Sequence, residues 1–146
     1  HWLWQGAADG TFETRLDAGL VEDRHSWATV SADLDGDGAR ELISATAGRP
    51  AIWDNPPTPG HWVEVALDGP GANVHGVGAT VVLEAGGRTW LREVPSMTAA
   101  SQAPAALHFG LGAATAIDRV EVRWPGGAVS VFDDVSIDRR VVLSVE

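Results

Sequence analysis

Apolar and polar residues alternate along much of the chain. In "HWVEVALDG" (61–69), Trp62, Val63, Val65 and Leu67 are set against His61, Glu64 and Asp68. A period near two predicts a half-buried strand. "DRVEVRW" (118–124) alternates in the same way, then "PGG" turns into "AVSVF" (128–132), and "RRVVLSVE" (139–146) is a further apolar run. "GATVVLEAGGRTWLREV" (78–94) holds two such runs joined by Gly86-Gly87, a hairpin signal.

The first third of the chain reads the same way. "SWATVSADL" (26–34), "ELISAT" (41–46) and "AIW" (51–53) are short runs rich in β-branched or aromatic residues. "HWLWQ" (1–5) and "GTFETRL" (10–16) flank "GAADG", which carries the Asp9-Gly10 turn signal. No stretch keeps a helical period over about 11 residues. "SMTAASQAPAAL" (96–107) is rich in alanine, but Pro104 and its small polar residues predict a loop with at most one short turn. "PPTPG" (56–60) cannot continue a helix or a central strand, so it divides an N-terminal piece, 1–55, from a C-terminal piece, 61–146. The expected fold is all-β, with a β-sandwich or jelly roll over 61–146.

Composition narrows the functions open to such a fold. Twenty acids against ten bases give a net charge of −10, which argues against nucleic acid as a partner. The ten bases are all arginine, and lysine and tyrosine are absent, as in a protein from a GC-rich bacterial genome. With no cysteine there is no disulfide, thiol nucleophile or cysteine metal site. No apolar run approaches the roughly 20 residues of a membrane-spanning helix. The chain begins at His1 without methionine, which is expected of a processed chain, a cleaved product or a fragment.

Seven tryptophans stand out. Trp62, Trp90 and Trp124 lie in alternating strands and are expected in the core. Trp2 and Trp4 share one strand face and, with Trp27 and Trp53, are candidates for an interface or a sugar-stacking surface.

The most distinctive chemistry is "DLDGDGARE" (33–41), which packs Asp33, Asp35 and Asp37 on alternate positions before Gly38. Such carboxylates converge on one point, and the glycine lets the backbone turn sharply. Oxygen ligands at this density suit Ca²⁺. The loop starts like an EF-hand but lacks its bidentate glutamate, since Ser44 stands at position 12 and Glu41 at position 9. A strand–loop–strand calcium site is therefore expected. Asp33, Asp35, Asp37 and Glu41 would ligate through carboxylates and Ala39 through its carbonyl. The alternative is a solvated acidic turn.

No other constellation reaches this density. The five histidines have no metalloprotease spacing. His1 could chelate copper through its amine and ring, without other support. His75, in the glycine-rich "GPGANVHGVG" (69–78), reads as part of a tight turn and is kept with Asn73 as a ligand candidate. His108 reads as structural. Ser96 and Ser101 lack a nucleophile elbow, and Asp133-Asp134 is not a glycosidase dyad. The chain is expected not to be an enzyme.

Two family resemblances cover nearly the whole chain. "ADGTF" (8–12), "AGL" (18–20), "DLDGDGAREL" (33–42) and "AIWDN" (51–55) resemble, in order, one FG-GAP/VCBS calcium-loop repeat, with Glu41 where that family has aspartate. "HWVEVALDG", "NVHGVGATV", "GGRTWLREV", Ser101-Gln102, "LHFGLG", "IDRVEVRWPGG" and Glu146 resemble the ASPIC/UnbV domain. The "SMTAA" stretch (96–100) departs from that family's glycine-rich segment with an aromatic. The resemblance implies a single propeller-blade-like unit followed by a β-sandwich or jelly-roll-like domain. It also implies a secreted, calcium-stabilised interaction or adhesion module for glycan or protein. The lone blade implies self-association or association with missing blades. Two further readings stand beside this one. They are a processed structural subunit of an extracellular assembly or filament, and an accessory protein in natural-product biosynthesis.

Overall fold

The computed structural model describes residues 3–7, 9–15, 19–20, 25–57, 59–96 and 105–145. Among them the chain forms strands and turns with no helix, as the short period predicts. Trp2 and the Ser101-Gln102 pair lie outside the described residues, as does most of the 96–107 loop.

The C-terminal piece is a two-sheet sandwich. Its strands are β6 (His61–Asp68), β7 (Thr80–Ala85), β8 (Arg88–Glu93), β9 (Leu107–Gly112), β10 (Arg119–Arg123), β11 (Val129–Phe132) and β12 (Arg139–Ser144). One sheet has the order β11-β10-β7-β8 and the other β12-β6-β9. All pairings are antiparallel except β12 with β6, which run parallel from Arg139↔Val63 to Ser144↔Asp68. The core lies between the sheets, built from Val63, Val65 and Leu67 of β6, Val81, Leu83 and Ala85 of β7, Leu107, Phe109 and Leu111 of β9, and Val120 and Val122 of β10. Every second residue faces inward, which is why the sequence alternates. Each valine, leucine or phenylalanine among them contributes about 1.5–3 kcal/mol when fully buried.

Two glycine positions shape this core. Gly86 and Gly87, both at positive φ (55° and 73°), form the two-residue loop between β7 and β8, the hairpin expected from the sequence. Gly76 (φ 61°) lies so close to Leu67 and Trp124 that a Cβ there would come within 2.8 Å of Leu67. Trp124 is buried beneath it and donates its indole N–H to Ser130 Oγ at 3.0 Å.

The expected placement of all three sandwich tryptophans in the core holds for Trp124 alone. Trp90 packs at the core margin. Trp62 is on the opposite face of β6, because Val63 next to it points inward and neighbouring strand residues face opposite ways.

The N-terminal piece holds an antiparallel ribbon of β1 (Leu3–Gly6) and β2 (Phe12–Arg15), and a separate antiparallel meander of β3 (Ser26–Ala32), β4 (Glu41–Thr46) and β5 (Ala51–Trp53). The Asp9-Gly10 turn lies between β1 and β2, with Asp9 Oδ1 accepting from Thr11 N (3.0 Å) and Thr11 Oγ1 (2.7 Å). The Asp/Gly loop joins β3 to β4.

Candidate functional site

The 33–41 loop wraps its backbone around its own carboxylates. Asp33 accepts from Gly36 N at 2.7 Å and Gly38 N at 3.0 Å, Asp35 from Asp37 N at 3.2 Å, and Asp37 from Ala39 N at 2.7 Å. These Asx-type bonds hold the loop in a tight coil that leaves other carboxylate lone pairs for a ligand. Asp33, Asp35 and Asp37 each offer one oxygen, and the three oxygens lie within 4.8 Å of one another. The expected convergence of these residues is therefore present in the geometry.

Glu41 closes the loop from the start of β4. Its Oε2 accepts from Leu34 N at 2.8 Å. The residue is only 5% exposed, and its Oε1 is buried without a hydrogen-bond partner. An unpaired buried carboxylate oxygen is costly, and it calls for a counter-charge or a donor. The three aspartate oxygens suit a hard divalent cation, but Glu41 is not among the carboxylates that cluster with them, so the structure brings together three of the four expected carboxylate ligands. Ala39 uses its N–H on Asp37 within the same turn.

The loop rests on the sandwich. Gly38 (φ 90°) backs against the pyrrole ring of Trp62, so closely that a Cβ would come 2.1 Å from Nε1. Trp62 in turn stacks on His108, with centroids 5.9 Å apart and planes inclined by 21°. Beside this stack is a cleft of about 320 Å³. Its lining includes Gly38 and Arg40 from the loop, Asn55 and Pro57 from the linker region, and His61, Trp62, His108 and Gly110 from the outer face of β6 and β9. Gly110 pairs with Trp62 across the strands and leaves open space above the sheet.

Two histidines border the cleft. His61 Nδ1 hydrogen-bonds Asp138 Oδ2 at 2.7 Å, and Asp138 Oδ1 also accepts from Trp62 N at 3.2 Å. The His61 bond is the main reason that Asp138 titrates below the usual carboxylate value. Burial, reinforced by the positive charges of Arg40 and Arg92, pushes the His108 pKa down. Its Nδ1 is buried without a hydrogen-bond partner.

The remaining candidates are dispersed. Trp4 and Trp27 are largely exposed on β1 and β3. Trp53, at the end of β5, borders a second groove with Leu3, Leu42 and Ile52. Asn73 spends its amide on its own turn, donating to Val77 O at 3.0 Å and accepting from Val77 N at 2.9 Å. His75 is exposed on the same turn. Neither Asn73 nor His75 lines the cleft at Trp62 or the groove at Trp53. The residues that sequence reasoning passed over are Arg40, Trp62, His61 with Asp138, and His108. Strict alternation in "HWVEVALDG", anchored on Val63, Val65 and Leu67, puts Trp62 outside; the other contacts span up to 77 positions and have no local signal.

No curated protein matches the chain. Residues 69–146, more than half of its length, match the family described as ASPIC and UnbV. This match agrees with the sandwich, which takes in β6 before it and supplies the cleft's Trp62 and His108. The chain belongs to the ASPIC and UnbV family.

Proposed function

We propose that the protein is a non-catalytic, calcium-binding interaction module that works outside the cell and recognises glycan or protein. The observation that carries this reading is the 33–41 loop: three convergent aspartates, and at the loop's end a glutamate whose second oxygen is buried and unpaired. The resemblance of 1–55 to an FG-GAP/VCBS repeat supports the metal. Membership of a family found in extracellular or surface proteins supports the location. With all four carboxylates ionised and no cation, their repulsion opposes the folded loop. Ca²⁺ would be held by Asp33, Asp35 and Asp37, with Glu41 drawn toward it, and would stabilise the native state in proportion to its occupancy. The melting temperature is expected to rise with added calcium and fall with excess chelator, with one ion bound per chain by titration calorimetry. An identical melting curve in calcium and in chelator, with no heat of binding, would overturn the metal.

A second reading is favoured by the N-terminal surface. Phe12 is 72% exposed and Trp27 68%, and Trp4 and Ile52 are also well exposed. Exposed aromatics gathered in one piece of a chain mark an interaction surface. On this reading the N-terminal sheets associate with further copies or with neighbouring blades, as in a surface assembly.

A further inference from the structure

A further groove, of about 290 Å³, lies where the N-terminal piece meets the edge of the sandwich, bordered by Arg40, Leu91, Arg92, Glu93, Leu107 and His108. Two guanidinium groups and an imidazole share this space. Among the described residues neither arginine has a carboxylate within ion-pair distance; the ion pairs there involve Asp138, Glu121 and Glu64 with other cations. Arg40 donates to the carbonyl of Ser31. Arg92 lies over the Phe109 ring, 5.5 Å from its centroid. His108 Nδ1 is buried and unpartnered. In a chain with twice as many acids as bases, two arginines without a close ion-pair partner border one groove, with Glu93 at its rim and the charges of Glu64 and Asp33 acting on Arg40 from farther off. Arg92 disfavours the charge on Arg40, an effect that Glu64 and Asp33 offset in part and that an anion between the two guanidiniums would relieve further.

We propose that this groove binds the carboxylate of a small acidic ligand, held by the Arg40 and Arg92 guanidiniums. Guanidinium donors match a carboxylate in a planar, two-point geometry, and such charge-assisted bonds are the stronger kind. Glu93 at the border accepts hydroxyl donors, so an acidic sugar suits the groove better than a bare acid. The chain's net charge of −10 repels long polyanions and favours a compact ligand. Arg40 lies in the 33–41 loop between Ala39 and Glu41, so the test below is run both with calcium and with chelator.

The test titrates the full chain with glucuronate, acetate and glucose while following backbone amides by NMR, once in calcium and once in chelator. Glucuronate and acetate are expected to shift the amides of Leu91, Arg92, Leu107 and His108 saturably, and glucose is not. Tighter glucuronate binding identifies a sugar acid, and equal affinities identify the carboxylate alone. Arg92→Gln should weaken binding by about tenfold or more. Arg139→Gln, an exposed arginine on β12, should leave it unchanged. No saturable shift with either acid, unchanged affinity in Arg92→Gln, or equal weakening in Arg139→Gln would overturn the proposal. Binding that persists in chelator, together with an unaltered melting curve, would remove the calcium and keep this site.

Discussion

Asp138 shows how much one residue can organise. It sits at φ 55°, a left-handed conformation that Asp and Asn tolerate better than other non-glycine residues. Its N–H donates to Trp62 O at 2.7 Å, and its carboxylate accepts from His61 Nδ1 and Trp62 N. The start of β6 is thereby tied to the start of β12, just below the cleft. The carboxyl titrates below its ordinary 3.8 in the folded chain, chiefly through the His61 bond. A depressed carboxyl stabilises the fold above its unfolded pKa, and this contribution is lost as pH falls through the folded value. Asp138→Asn keeps the backbone conformation and removes the ionised carboxylate. It is expected to lower stability at neutral pH and to flatten the loss of stability below about pH 4. Urea midpoints measured from pH 2 to pH 7 check this. An acid limb as steep as that of the parent chain would rule out the role given to Asp138.

At the scale of elements, the β7–β8 hairpin is the most local feature and the most legible. Both central residues have positive φ, the arrangement of a type I′ turn, whose twist matches that of the flanking strands. A Cβ on Gly87 would meet nothing within 4 Å, so only backbone strain opposes substitution. Gly87→Ala should cost about 1–2 kcal/mol, because an L residue in the left-handed region carries that penalty. Gly87→Asn should cost clearly less, since Asn visits that region routinely. Chemical denaturation of the two variants decides the point, and equal losses would show that the turn is not held by φ alone. The misplaced Trp62 belongs to the same scale. Its strand alternates as expected, but an aromatic beside a core valine necessarily points to the other face. Val63, Val65 and Leu67 share one parity, and Trp62 has the other.

Over the whole molecule, the sandwich encloses one apolar core while the N-terminal sheets keep large side chains outside. Burying one such aromatic contributes on the order of 1.5–3 kcal/mol, so contact between copies is favoured by area and opposed by charge. A chain of net charge −10 repels itself, and salt screens that repulsion over about 10 Å at 0.1 M. Sedimentation velocity is therefore expected to show association that strengthens with sodium chloride. Substituting Phe12→Ser together with Trp27→Ser should weaken it, while both side chains are exposed enough that the fold is retained. A chain that stays monomeric at high concentration and high salt would refute the assembly reading.

Read by itself, the sequence determined the all-β class, the hairpin at Gly86-Gly87, the turn at Asp9-Gly10, the ASPIC/UnbV resemblance and the gathering of Asp33, Asp35 and Asp37. Each of these depends on residues a few positions apart, where the period of the strand and the allowed φ of glycine leave little choice. Tertiary structure alone decided the rest. That Gly38 would press on Trp62, that Trp62 would stack on His108, and that Arg40 and Arg92 would border one groove depends on two sheets and a loop meeting across the chain. Such contacts join positions many residues apart. They are selected by how the pieces pack and by which charges end up buried together, and neither has a signature in local periodicity.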